Sequence, residues 1–431
     1  MVKIVILGGG FGGLNAARKL GNRKDVEVVL IDRTNHHLFQ PLLYQVATAG
    51  LNPAEIAVPI RSVLKKYRNI RVVMDEVANL DLHSRKVICT TGEYSYDYLI
   101  VALGGENNYY GHDQWAQFTV PLKSLVEALN IRERILCALE MAEREHDPVM
   151  KKTLLSVVVI GGGPTGVEVA GALAELRKSV LEKEFHNIHL EDFRIILVEG
   201  AASLLHGFHP TLREYAHGHL RQMGVTVLLN SPVQDIRQNC VVTDTLTIKA
   251  STIIWAAGIQ GNHLLRETGI ATDHSGRAMV DPYYRLPDFP EVYVIGDLAH
   301  YEFEHTYKGR MLPAVSPVAI QGGKFVAGDI LNRVRHASSR PFRYLYKGMM
   351  STIGRSAAVV EFPFLRMKGF PAWLVWVFVH VMYLVDFQNR VIVFMRWVWY
   401  YLAWKKGSRL ITRILSLDIS RKECSDQPTE V

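Results

Sequence analysis

The chain has 431 residues, 48% of them apolar, and a formal net charge of +7. That length allows two or three domains around sizeable cores. Its four cysteines, Cys89, Cys137, Cys240 and Cys424, fall in no C-x-x-C or zinc-type spacing, which argues against a disulfide-stapled scaffold and against a metal site. The charge is local: residues 363–413 hold eight Lys or Arg and one acid, Asp386, so the rest of the chain balances to zero.

The first element is the β-branched run Val2-Lys3-Ile4-Val5-Ile6-Leu7, followed by Gly8-x-Gly10-x-x-Gly13. This reads as strand, tight turn and helix start, and the apolar N-terminus is needed as that strand rather than as a signal peptide. A second predicted strand, Val28-Val29-Leu30-Ile31, ends in Asp32. Glycine at the first position permits the turn, at the second lets backbone approach a pyrophosphate, and at the third lets helix pack on strand. The acid about 20 residues on is placed for an adenosine ribose. The unit closes on a strand ending in Leu103-Gly104-Gly105, and residues 125–145 read as a linking helix.

The whole pattern then recurs. Val157-Val158-Val159-Ile160 leads into Gly161-x-Gly163-x-x-Gly166, and Ile195-Ile196-Leu197-Val198 ends in Glu199. The closing strand again ends in glycine, Ala256-Ala257-Gly258, which argues for duplication. Two complete fingerprints imply two dinucleotides and electron transfer between them. Gly200, Ala201 and Ala202 follow Glu199 with no Arg for a 2′-phosphate, which favours NADH over NADPH. Glu168 lies near the start of the second helix. An acid beside a pyrophosphate gains by pointing away, and burial there raises its pKa, which suits it to relay protons. A short strand ending in Gly296-Asp297 is expected to return to the first unit, its Asp placed for ligand contact.

The last 70 residues differ in character. Residues 372–387 and 391–404 are almost wholly apolar, with Gln388, Asn389 and Arg390 between them. Five of the seven tryptophans lie there, and each run is shorter than the ~20 residues needed to span a bilayer. Short apolar helices with interfacial aromatics and flanking bases read as lying in one leaflet. Anionic lipid adds ~1 kcal/mol per base, from Lys405, Lys406, Arg409 and Arg413. A buried dimer interface is the competing reading. Nucleic acid is disfavoured, because dense aliphatic runs do not face a phosphate backbone.

The stretch between the fingerprints lacks the C-x₄-C pair of a disulfide reductase and cysteines placed for sulfide chemistry. Instead, Phe39-Gln-Pro-Leu-Leu-Tyr-Gln-Val-Ala-Thr48, Gly161-Gly-Gly-Pro-Thr-Gly-Val-Glu168, Gly296-Asp297, Lys347-Gly-Met-Met-Ser-Thr-Ile-Gly-Arg355 and the Trp-rich tail together resemble a type II NADH:quinone oxidoreductase. That resemblance implies a monotopic, dimeric membrane flavoprotein that passes electrons from NADH through FAD to a membrane quinone and pumps no protons. It implies FAD pyrophosphate contacts at Gly8, Gly10, Phe11, Gly12 and Gly13. Asp32, Arg33, Val77 and Gly104 would meet the rest of the adenosine side, Asp297 the ribityl chain, and Lys347 the flavin surroundings. Gly161, Gly163, Gly166, Glu199 and Gly258 would form the NADH site, with Glu168 as the catalytic acid. Ala319 and Gln321 would line the quinone site, although Pro317 and Gly322 depart from the family pattern there.

The expected fold is α/β, with two Rossmann-like dinucleotide-binding domains and a C-terminal membrane-associated helical region. The expected order is FAD-binding 1–115, linker 116–150, NADH-binding 151–282, FAD-binding 283–340 and membrane-anchoring 341–431. The expected location is peripheral, on the cytoplasmic face of the cell membrane and bound to anionic lipid. The alternatives are a sulfide:quinone-type flavoprotein and an NADH-sensing membrane flavoprotein.

Overall fold

A computed structural model describes residues 1–303, 307–385, 387–403, 408–413, 415 and 417. Asp386, Trp404, Lys405, Lys406 and Cys424 lie outside these. The chain divides into two compact units. The first comprises Met1–Leu38, Ala57–Asn107 and Ile259–Lys347. The second comprises Phe39–Ile56, Asn108–Gly258 and the described residues from Gly348 onward.

The first unit is built on a five-stranded parallel sheet in the order Val292–Val294, Tyr98–Val101, Val2–Leu7, Val26–Asp32, Ile70–Met74. Its strands are near-continuous apolar runs, as a sheet covered on both faces requires, and Ile4, Ile6 and Leu7 are wholly buried. The helix Phe11–Leu20 follows the first turn and packs on Ser316–Val334. Glycines set that crossing: a Cβ on Gly323 would lie 2.2 Å from Gly12 O, and one on Gly322 would touch the Tyr284 ring at 3.5 Å. The Gly322-Gly323 pair therefore has a packing role, and Pro317 stands in the first turn of its helix, where no N–H is lost.

The second unit repeats the plan, with parallel strands in the order Val120–Pro121, Thr252–Trp255, Ser156–Ile160, Arg194–Val198, Val225–Leu228. The predicted linking helix runs Leu125–Arg144 and belongs to this unit. Ser124 and Glu127 close a reciprocal capping box at its start.

Beyond Gly348 an antiparallel sheet of Met349–Thr352, Ala358–Glu361 and Arg366–Gly369 runs directly into the helix Phe370–Tyr383. The second apolar helix is Phe387–Ala403. The first helix thus ends at Tyr383 and the second begins at Phe387, ahead of the polar triplet expected to part them. Gln388, Asn389 and Arg390 form the start of the second helix instead. Arg390 Nε donates to Leu384 O at 2.8 Å, covering a carbonyl at the preceding helix end. Asn389 Nδ2 donates to Ala54 O at 3.2 Å. Arg396 pairs with the buried Glu55, and Ser408 Oγ donates to Asn52 Oδ1 at 2.5 Å, so residues 52–56 receive the tail.

Candidate active site

The two glycine turns are nearly superimposable in their constraints. Gly8 has φ +96°, and a Cβ there would lie 2.4 Å from Ala102 O. Gly161 has φ +109°, with the matching contact to Ala256 O at 2.6 Å. A Cβ on Gly13 would fall 1.9 Å from Gly8 O, and one on Gly166 would fall 1.8 Å from Gly161 O. Gly10 and Gly163, by contrast, face open space with nothing within 4 Å. They are also the N-caps of their helices, and neither helix has a side-chain cap or an acid in its first turn. Open, uncapped N–H groups at a helix start suit an anion, so both cradles fit a dinucleotide pyrophosphate.

Each acid closes its own turn. Asp32 Oδ2 accepts the Gly9 N–H at 2.6 Å, while Oδ1 accepts the N–H and hydroxyl of Thr34. Glu199 Oε2 accepts the Gly162 N–H at 2.5 Å and Oε1 accepts the Ala201 N–H at 2.8 Å. Arg33 is exposed and reaches Glu76 only at 3.9 Å. Val77 begins the strand Val77–Asp81, Gly104 is an open turn at φ +73°, and Asp297 lies half-buried in the turn Gly296–Leu298. Gly258, at φ +122°, would drive a Cβ to 2.4 Å from the Tyr110 hydroxyl.

One residue of the first turn escaped the sequence reading. His37 is 2% exposed, its Nδ1 lies 2.9 Å from Gly9 O, and its ring meets Phe11 edge-on. Burial lowers its pKa, so the ring stays neutral and holds the Gly9 carbonyl from behind. Its only sequence signal was the polar pair His36-His37 just after the ribose acid.

In the second unit, Glu168 is the fifth residue of the helix Pro164–Glu184 and so stands beyond its first turn. The reason it matters lies three residues on: a Cβ at Gly171 would sit 2.7 Å from Ile353 O, so the bare glycine lets strand Met349–Thr352 approach. That approach brings Thr352 N–H and the Ser351 hydroxyl onto the Glu168 carboxyl. These bonds favour the anion, yet loss of water dominates and raises the pKa to about 8.

Tyr44, in the short helix Leu43–Ala47, senses the Glu168 charge, and burial pushes its hydroxyl pKa well up. Its oxygen accepts from Gln45 Nε2 at 2.8 Å. A small cleft of about 60 Å³ lies here, lined among others by Tyr44, Gln45, Glu175, Arg355, Trp376 and Trp397. Trp376 Nε1 is a buried donor with no hydrogen-bond partner among the described residues. His380 stacks on Trp376 at 4.1 Å, and burial lowers its pKa to about 4.

The expected quinone residues sit in the first unit. Ala319 is 8% exposed and packs beside Gly296 and Gly12. Gln321 holds the Leu345 peptide from both sides, donating to its O at 3.1 Å and accepting its N–H at 2.9 Å. Lys347 is exposed.

Two dinucleotide cradles, each closed by its acid, define a two-dinucleotide flavoprotein, and residues 2–323 match the family model described as pyridine nucleotide-disulphide oxidoreductase. Over 426 residues the chain is 39% identical to a type II NADH:quinone oxidoreductase of Mycobacterium tuberculosis, covering 95% of this chain and 90% of that protein. The chain belongs to the type II NADH:quinone oxidoreductases. Among solved structures, NDH2 from Plasmodium falciparum in complex with NADH shares the fold at a TM-score of 0.86 and 20% identity, covering 96% of this chain and all of that one. The sulfide:quinone oxidoreductase of Aquifex aeolicus shares it at 0.73 and 18%, covering 94% and 96%.

Proposed function

We infer that the protein is a membrane-associated respiratory flavoenzyme that oxidises NADH and reduces a quinone, without pumping protons. The observation that carries this is the pair of open cradles, each with its acid, in one chain. FAD, held by the first cradle, would supply the two-electron redox chemistry between nicotinamide and quinone. The protein's part is orientation and proton supply. Gly8, Gly10, Phe11, Gly12 and Gly13 hold the FAD pyrophosphate, with Asp32, Arg33, Val77, Gly104, Asp297 and Lys347 along the rest of the cofactor. Gly161, Gly163, Gly166, Glu199 and Gly258 hold NADH. Glu168, whose pKa is about 8, carries a proton at neutral pH and can release or regain it as the site changes charge.

Ala319 and Gln321 are the proposed quinone contacts in the first unit, Gln321 through the amide hydrogen not directed at Leu345. In the second unit the Trp-lined cleft offers the Trp376 indole N–H. Sulfide as donor finds no support in Cys89 and Cys137, which are buried free thiols, burial raising Cys89 to about 11; Cys240 is engaged in a disulfide.

No helix among the described residues is long and apolar enough to cross a membrane. The reading of a one-leaflet contact with an anionic bilayer rests on outward apolar stripes. Phe370, Leu374, Phe378 and Met382 recur every fourth residue, and Val391, Phe394, Met395, Val398 and Trp399 form a second row, all exposed. Phe364 is fully exposed in a tight turn whose Phe362 N–H donates to Leu365 O at 2.8 Å. Charge contributes less than composition suggests: Arg396 pairs with Glu55, Arg409 with Glu184 and Arg366 with Glu361. The cytoplasmic face and a homodimer are proposed on the family resemblance alone.

Purified protein tests the whole: NADH should bleach the flavin band and a quinone analogue should restore it. A band that NADH leaves unchanged overturns the enzyme reading.

A further inference from the structure

The loop after Glu199 does more than cover the second turn. Leu205 N–H donates to Gly162 O at 2.8 Å while the Gly162 N–H donates to Glu199, so one residue of the phosphate turn is held through both its backbone polar groups. Leu205 holds φ +51°, an unfavourable conformation for a branched residue, and is almost wholly buried. That fixed kink delivers His206. Its Nε2 stands 3.5 Å from Glu199 Oε1, and its side chain is half exposed while that of Glu199 is 14% exposed.

We propose that His206 is a specificity-determining residue for the adenosine ribose: protonated, it neutralises Glu199 and admits a 2′-phosphorylated nucleotide, and neutral, it leaves the carboxylate to repel one. This rests on the reading of Glu199 as the ribose acid. Two backbone N–H groups donate to that carboxylate. A 2′-phosphate, bearing up to two charges, would bring like charge directly against it. Three other ionisable groups bear on this place. Arg213, from the helix Pro210–Gln222, turns its donors onto the loop itself, at Phe208 O, His206 O and Ser203 Oγ. Tyr110 senses the Glu199 charge but donates its hydroxyl hydrogen to Ala257 O at 2.6 Å. His209 is engaged with Thr211 and, through its N–H, with Glu361. Among the described residues, His206 is thus the basic side chain that faces the Glu199 carboxylate.

The test is calorimetric binding of ADP-ribose and 2′-phospho-ADP-ribose to the FAD-loaded full chain, at acid and neutral pH. Wild type, His206→Ala and His206→Arg are compared. Discrimination against the 2′-phosphate should fall by about fivefold more in wild type than in His206→Ala as the pH drops. The ligand's own second ionisation, near pH 6, is common to all three proteins and cancels. His206→Arg should discriminate weakly at both pH values. The ratio of kcat/KM for NADPH over NADH should follow the binding data. Equal pH dependence in wild type and His206→Ala overturns the proposal, as does wild-type discrimination in His206→Arg. If ADP-ribose itself fails to bind, the nucleotide-site reading falls and the proposal with it. If it binds but Glu199→Gln leaves its affinity unchanged, only the ribose-acid premise is lost, and with it this role for His206.

Discussion

Trp397 donates its indole N–H to Gln45 Oε1 at 2.8 Å. Gln45 in turn donates to the Tyr44 hydroxyl, and Tyr44 is electrostatically coupled to Glu168. A residue of the helix Phe387–Ala403 is thus three steps from the candidate proton carrier. Trp397→Phe keeps the ring and removes the donor. It should cost about 1–2 kcal/mol of stability, since Gln45 loses a partner in a largely buried place. Quinone reduction should slow severalfold, while NADH oxidation by a water-soluble acceptor stays level. Equal loss with both acceptors would reduce the chain of bonds to a purely structural one.

Glu168→Gln tests the proton itself. The amide can still accept from Ser351 and Thr352 but cannot titrate. Quinone turnover should drop by about 100-fold with the FAD content unchanged. In wild type, turnover should decline as the pH passes about 8. The stability effect has a definite sign. Folding raises this pKa above the ordinary carboxyl value, so the native state holds a proton that the unfolded chain releases. The resulting stabilisation is full at acid pH and is lost as the pH rises through about 8. Thermal melts should show a shallower decline with pH for the variant; parallel curves would refute the raised pKa.

Gly10 and Gly13 separate folding from cofactor binding. Gly13→Ala forces a methyl against Gly8 O and should cost about 3 kcal/mol or more. Gly10→Val meets no protein atom within 4 Å at its Cβ, so the polypeptide should fold and fail only to retain flavin. Flavin absorbance alongside circular dichroism reads both. A Gly10→Val protein that purifies fully yellow would mean that the pyrophosphate lies elsewhere.

Removing exposed apolar groups should detach the protein from lipid without harming its redox centre. Phe364→Ser and Phe378→Ser should each weaken partition onto anionic vesicles by about tenfold, measured by co-sedimentation. NADH oxidation by a soluble acceptor should be unaffected. Unchanged partition in the double variant would remove the tip and stripe from the membrane face.

The local rules made much of this legible. Continuous β-branched runs, glycine spacing and terminal acids located both sheets and both cradles, because those features are dictated within about 30 consecutive residues. What escaped was long-range. The Gly171–Ile353 approach joins residues far apart in sequence, and only that approach places Ser351 and Thr352 on Glu168. Gln321 reads as a quinone contact from its place in the family pattern, and nothing in its neighbourhood in sequence announces that the distant Leu345 backbone engages both ends of its amide. The bases of the tail looked available to lipid because their acidic partners, Glu55 and Glu184, lie hundreds of residues upstream.

Residues 52–56 have a bearing on how a water-soluble form could be engineered. Deleting the tail would strand the buried Glu55 carboxylate without its guanidinium, at a cost of about 3–5 kcal/mol. The same cut would remove the Trp397 indole from Gln45. The tail is thus an internal wall of the catalytic body as well as its outer skin. Solubility should be sought by repainting the outward stripe with polar side chains while every inward contact is kept.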